Sequence, residues 1–175
     1  MQSLEEQKCH QCQKPTTNAF VCPLCSTLSC KNCVSFTPAS AFSFMKRIPT
    51  ELSHPRYCSN CFATAISPAL ENYRETMARA KKVYIVERPP RKPLPILKRS
   101  TESLSVRDCT DRKETIMRLA FQSAALGFNA VVKVKVAYEK VRNAGYQKMM
   151  WHGTGSPVEL DARRVEHNAK VSAEL

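Results

Sequence analysis

The chain has 175 residues, nine cysteines and a net charge of +12, from 27 Lys and Arg against 15 Asp and Glu. That length suits two small modules, and no apolar run is long enough to span a bilayer. Met1 to Lys8 is polar and acidic, with no apolar stretch to direct secretion, so a reducing, cytoplasmic setting is expected for its thiols.

Four C-x-x-C pairs come first: Cys9/Cys12, Cys22/Cys25, Cys30/Cys33 and Cys58/Cys61. Two cysteines with two residues between them can hold one metal ion from a single tight turn, and four pairs supply eight thiolates, enough for two closed tetrahedral zinc sites. The alternative is a disulfide framework, which vicinal pairs of this kind seldom make. Cys109 alone is left over.

The run Cys22-Pro-Leu-Cys25-Ser-Thr-Leu-Ser-Cys30-Lys-Asn-Cys33, with Arg56-Tyr57-Cys58-Ser59-Asn60-Cys61-Phe62 after it, resembles a FYVE-type zinc finger over about residues 5 to 80. The resemblance implies cross-braced ligation, with Cys9, Cys12, Cys30 and Cys33 on one zinc and Cys22, Cys25, Cys58 and Cys61 on the other. It does not carry phosphatidylinositol 3-phosphate recognition. Members with that activity have Trp-x-x-Asp before the first pair and Arg-(Arg/Lys)-His-His-Cys-Arg at the third cysteine. Here Ser3-Leu4-Glu5-Glu6 and Asn18-Ala19-Phe20-Val21-Cys22-Pro23 stand in those places, and only Arg56 matches. A ring phosphate needs several converging cationic donors, so specific phosphoinositide binding is not expected.

After Phe62 the pattern changes. Ser67-Pro68 followed by Leu70, Tyr73 and Met77 at helical spacing predicts a helix to about residue 80, capped by the serine and ending near Arg79, Lys81 and Lys82. Tyr84-Ile85-Val86 predicts a short strand. Four prolines between Arg88 and Pro95 predict an extended basic connector, and Ile96 to Val106 suits a strand or an irregular edge.

Asp111 and Glu114 form a capping box for a second helix, with an apolar face of Ile116, Met117, Ala120, Phe121, Ala124 and Ala125, and Gly127 stands where a left-handed C-cap is wanted. From Ala130 to Tyr138 the residues alternate as in a half-buried strand. Asn143-Ala144-Gly145 predicts a turn, and Gln147 to Trp151 the returning hairpin strand.

Ala124-Ala125-Leu126-Gly127-Phe128-Asn129-Ala130-Val131-Val132-Lys133-Val134, with Trp151-His152-Gly153-Thr154-Gly155 further on, resembles the YbjQ-like family of heavy-metal-binding-type domains over about residues 82 to 160. The resemblance implies a dodecin-like βαββ subunit that assembles into a ring, typically a pentamer. Lys133 stands where that family usually has glycine, and Gly155-Ser156-Pro157 replaces its apolar continuation. His152, His167 and Cys109 show no ligand spacing, so no further metal site is expected there.

The expected fold class is therefore α+β. A zinc finger occupies residues 1–65, a connecting helix 66–81, a YbjQ-like domain 82–160 with a Pro-rich basic insertion near 88–99, and a polar tail 161–175. The expected function is that of a noncatalytic zinc-binding interaction or adaptor protein, with two structural zinc ions per chain, a homo-oligomeric state and an unidentified protein partner. The alternative is nucleic-acid binding through the basic centre, since residues 66–113 hold twelve basic residues against six acidic ones. Sulfur-saturated sites leave no open position for a catalytic water, so an enzyme is not expected.

Overall fold

A computed structural model describes residues 8–88, 93–143 and 146–165. The chain is α+β and divides into two compact units, Met1–Ser43 with Arg47–Arg74, and Phe44–Lys46 with Glu75–Leu175. Among the described residues no helix is long and apolar enough to cross a membrane.

The first unit holds two short antiparallel pairs. β1 (Phe20–Val21) pairs with β2 (Leu28–Ser29), and β3 (Val34–Phe36) pairs with β4 (Arg56–Cys58) in the register Val34 to Cys58. A helical rod follows without a break through α1 (Ser59–Cys61), a π-turn at Phe62–Ile66 and α2 (Ser67–Ala80). This corrects the expected cap at Ser67, which is itself helical at φ −61° and ψ −47°. The rod starts instead at Cys58, whose Sγ accepts the Cys61 N–H. Pro68 would remove one helix hydrogen bond and crowd the carbonyl of Thr64. The wide turn just before it, in which Ser67 N–H bonds to Phe62 O, takes up that misfit.

In the second unit the strands are β5 (Tyr84–Val86), β6 (Ile96–Arg99), β7 (Leu104–Cys109), β8 (Ala130–Asn143) and β9 (Tyr146–Leu160), with α3 (Arg112–Ala125) between β7 and β8. The sheet order is β5-β8-β9-β6, with β7 also on β9, and β5 runs parallel to β8. The stretch expected as one strand or an edge between Ile96 and Val106 is thus two strands lying one after the other along β9. The returning strand is also longer than expected, continuing through Gly155-Ser156-Pro157 to Leu160. Of the expected basic connector, residues 89–92 lie outside the described residues, as do the turn residues 144–145 and the tail from 166.

The capping box of α3 forms. Asp111 Oδ1 accepts the Glu114 N–H at 2.8 Å, and Glu114 Oε2 accepts the N–H and hydroxyl of Thr110, each at 2.7 Å. These bonds hold the Glu114 carboxyl below its usual range. The buried face of the helix differs from the expected one. It consists of Thr115, Leu119, Ala120, Phe121, Ser123 and Ala124, while Ile116 and Met117 are half-buried and Ala125 is exposed. Threonine and serine belong to it because their hydroxyls are satisfied locally, Thr115 donating to Asp111 O and Ser123 to Ala130 O.

Gly127 adopts φ +81°, the left-handed C-cap. Asn129 then acts as a side-chain clamp on the last residue of β9, donating to Leu160 O at 2.9 Å and accepting from Leu160 N at 2.7 Å. Two apolar layers result. Leu104, Val106, Cys109, Leu119, Val131 and Val134 form one, and Ala130, Val132, Val158 and Leu160 form the other.

Simple alternation along β8 breaks at Lys133, where Lys133 and Val134 together oppose Gly155 and the register shifts. Lys133 carries φ +53°, the left-handed conformation that bulges of this kind reserve for glycine. Relief of that strain outweighs the greater chain entropy of glycine, so Lys133→Gly is expected to stabilise the second unit by about 0.5–1 kcal/mol. Urea unfolding followed by far-UV circular dichroism checks this, and a lower midpoint would show that the lysine is not strained.

Candidate metal centre

The first two cysteine pairs sit on matching turns. In the first, Gln13 N–H bonds to Cys9 O at 2.9 Å and Cys9 N–H to Lys14 O at 3.0 Å. In the second, Ser26 N–H bonds to Cys22 O at 2.9 Å and Cys22 N–H to Thr27 O at 3.0 Å. Each turn closes on a residue with positive φ, Gln13 at 57° and Ser26 at 58°. The other two pairs lie on single helical turns. Cys33 N–H bonds to Cys30 O in a 3-10 turn, and Cys58/Cys61 spans α1.

The pairs combine alternately, so that each cluster takes one tight turn and one helical turn. Cys9, Cys12, Cys30 and Cys33 form one tetrad and Cys22, Cys25, Cys58 and Cys61 the other, with the sulfur atoms of each within 4.8 Å of one another. All nine cysteines are free, and eight of them gather in fours, as metal ligands do, rather than in joined pairs. The sulfurs of Cys12 and Cys30 lie 3.7 Å apart, as do those of Cys25 and Cys58. Four sulfurs placed tetrahedrally at a zinc–sulfur distance of about 2.3 Å are separated by about 3.8 Å, so these donors fit a zinc ion.

Electrostatics points the same way. The Cys9 thiol is lowered to about 6 by the backbone N–H groups of Cys12 and Cys30, and Cys25 to about 6 by the hydroxyl and N–H of Thr27. Cys33 is pushed up to about 12 by burial and by the sulfurs of Cys30, Cys12 and Cys9, and Cys61 is raised by burial and its own three neighbours. Each tetrad thus has at least one sulfur that ionises readily and one that resists, because thiolates crowded in one place repel. A bound divalent cation reverses that penalty.

Sequence reasoning missed the residues that hold these clusters in place. Thr27 Oγ1 lies 3.0 Å from Cys25 Sγ, and Cys58 N–H points at Cys22 Sγ at 3.5 Å. Ser59 Oγ donates to Cys33 O at 2.8 Å, linking the helical turn of one tetrad to that of the other. Tyr57 is fully buried, with its hydroxyl donating to Glu51 O at 2.8 Å and accepting from His54 N at 3.0 Å. Arg56, the one position that matches the phosphoinositide motif, stacks its guanidinium 4.9 Å from the Phe20 ring centroid. Nothing in Gln13 or Ser26, the residues after the second cysteine of each tight turn, announces the left-handed backbone that each adopts.

No family model matches the chain, and no curated protein matches it. Among solved structures it is similar to the crystal structure of a protein of unknown function from Pediococcus pentosaceus ATCC 25745 that belongs to the DUF74 family. The identity is 16%, with 45% of this chain and 98% of that chain covered, at a TM-score of 0.32.

Proposed function

We propose that this chain is a noncatalytic, zinc-binding interaction protein in which a FYVE-like finger is displayed by an oligomerising, YbjQ-like and dodecin-like domain. The observation that carries the reading is the pair of interleaved four-sulfur tetrads, each with a full set of donors for one ion. Cys9, Cys12, Cys30 and Cys33 would hold one zinc, and Cys22, Cys25, Cys58 and Cys61 the other. A zinc ion bound by four sulfurs supplies folding energy rather than an open position for water, which supports a structural role.

Display by an oligomer gives weak finger contacts the benefit of avidity. The Leu126-Gly127-Phe128-Asn129 run and the Gly153-Thr154-Gly155 segment support the YbjQ-like reading, because each has a definite role in the second unit. Gly127 caps α3, Asn129 clamps β9, and the two glycines let β9 pass close to its neighbours.

Native mass spectrometry tests the proposal by reporting zinc per chain and subunits per particle in one spectrum. Two zinc ions per chain in a closed multimer, typically of five, is the expected result. A monomer would overturn the display arrangement, and a zinc content other than two would overturn the ligand assignment.

A further inference from the structure

The hairpin of β8 and β9 reaches well beyond the rest of the sheet. β5 covers β8 only at Ala130–Val132, and β7 meets β9 no further out than Cys109 opposite Trp151. Beyond that point Glu139 to Asn143 pair only with Tyr146 to Met150, a two-stranded ribbon of five residue pairs, about 17 Å long. Its described side chains are almost all exposed, including Met149 at 50% and Tyr146 at 83%, and Tyr138 at its base is 52% exposed.

The charge on this arm is one-sided. Lys140, Arg142 and Lys148 are all exposed, against the single acid Glu139, and among the described residues none of the three makes a salt bridge. Register decides which of them act together. Residues opposite each other in an antiparallel pair share a face, so Tyr138 with Trp151, Lys140 with Met149 and Arg142 with Gln147 line one side of the ribbon. The Tyr138 and Trp151 rings lie 5.0 Å apart at 42°, a braced aromatic shelf at the base of the arm. Lys140 and Arg142 follow at two-residue steps of about 7 Å along the strand.

We propose that this face of the arm binds single-stranded nucleic acid, with a base stacked on Tyr138 and phosphates held by Lys140 and Arg142. Exposed aromatic faces beside unpaired cations are the two components that such binding needs. The excess of positive charge opposes a second copy of the same arm and favours a polyanion. The interleaving of rings and cations that the proline-rich basic segment lacks in the sequence is supplied here, by strand pairing. This site is separate from the cysteine tetrads and stands whether or not the zinc reading does.

Fluorescence anisotropy of the full, zinc-loaded chain against a labelled fifteen-nucleotide oligo(U), from 50 to 200 mM salt, tests the proposal. Lys140→Glu with Arg142→Glu is expected to weaken binding at least tenfold and to flatten the log–log salt slope by about 1.4, the contribution of two phosphate contacts. Tyr138→Ser is expected to weaken binding with the slope unchanged. The same charge reversal at Lys98 and Arg99 of β6 is expected to have little effect, and an unchanged thermal melt shows that each variant is folded. No binding by the wild type at 50 mM salt would overturn the proposal. So would equal losses from the β6 variant, tighter binding to phosphatidylserine vesicles than to the oligonucleotide, or a change confined to subunit number in the arm variants.

Discussion

Cys30→Ser is expected to lower the zinc content from two per chain to one or none and to unfold the first unit, while the sheet of the second unit keeps its own melting transition. The reason lies in what the first unit has for a core. Among its described residues eight apolar ones are buried, of which four are cysteines, Cys9, Cys22, Cys30 and Cys58, leaving Phe42, Tyr57, Ile66 and Leu70. So few side chains cannot offset the chain entropy of ordering some seventy residues. Structural zinc in small fingers contributes on the order of 10 kcal/mol, so loss of one ion exceeds the whole stability of such a module.

Damage to one tetrad is also expected to reach the other, because Ser59 of α1 bonds to the carbonyl of Cys33 and β4 delivers Cys58 while pairing with β3 just after Cys33. Elemental analysis with circular dichroism in the presence and absence of a chelator checks both points. Two zinc ions retained in the serine variant would show that Cys30 is not a ligand.

Gly155→Ala is the corresponding test of the second unit and is expected to destabilise it by about 2–3 kcal/mol, or roughly 10 °C in melting temperature. A Cβ at position 155 would lie 2.4 Å from Cγ1 of Val131 and 3.3 Å from Cγ2 of Val134. Val131 is fully buried and β-branched, so its methyl cannot rotate away cheaply. At Gly153 the added carbon would meet Cγ2 of Thr115 at 2.6 Å and Cδ1 of Leu119 at 3.2 Å, which sets the closeness of α3 to β9. Thermal unfolding of both alanine variants, read at the sheet signal, measures the effect. A melt unchanged within a degree would mean that β9 is free to shift and that the close approach is not required.

Much of this was legible where the physics is local. The capping box at Asp111, the left-handed C-cap at Gly127 and the helix over Ser67–Ala80 each depend on a few consecutive residues, and each is present. The Ser67 cap failed because serine before proline reads locally as a helix start, whereas the chain arrives there already helical from Cys58. The buried face of α3 was misjudged because Thr115 and Ser123 look polar in isolation, and only their backbone acceptors make their burial inexpensive. Regular alternation along β8 hid the bulge, since nothing in Lys133 itself announces a left-handed backbone.

The sequence by itself determined the donors and the periodicities: eight thiols in four pairs, a capped helix and a long, largely alternating strand. Those follow from residue type and spacing along a few turns. Which pair shares a metal with which, how two strands come to lie end to end along β9, and which rings and cations share one side of the hairpin were decided only in three dimensions. Each depends on register and chain crossing between residues far apart in sequence, where a shift of one position exchanges every side chain between faces.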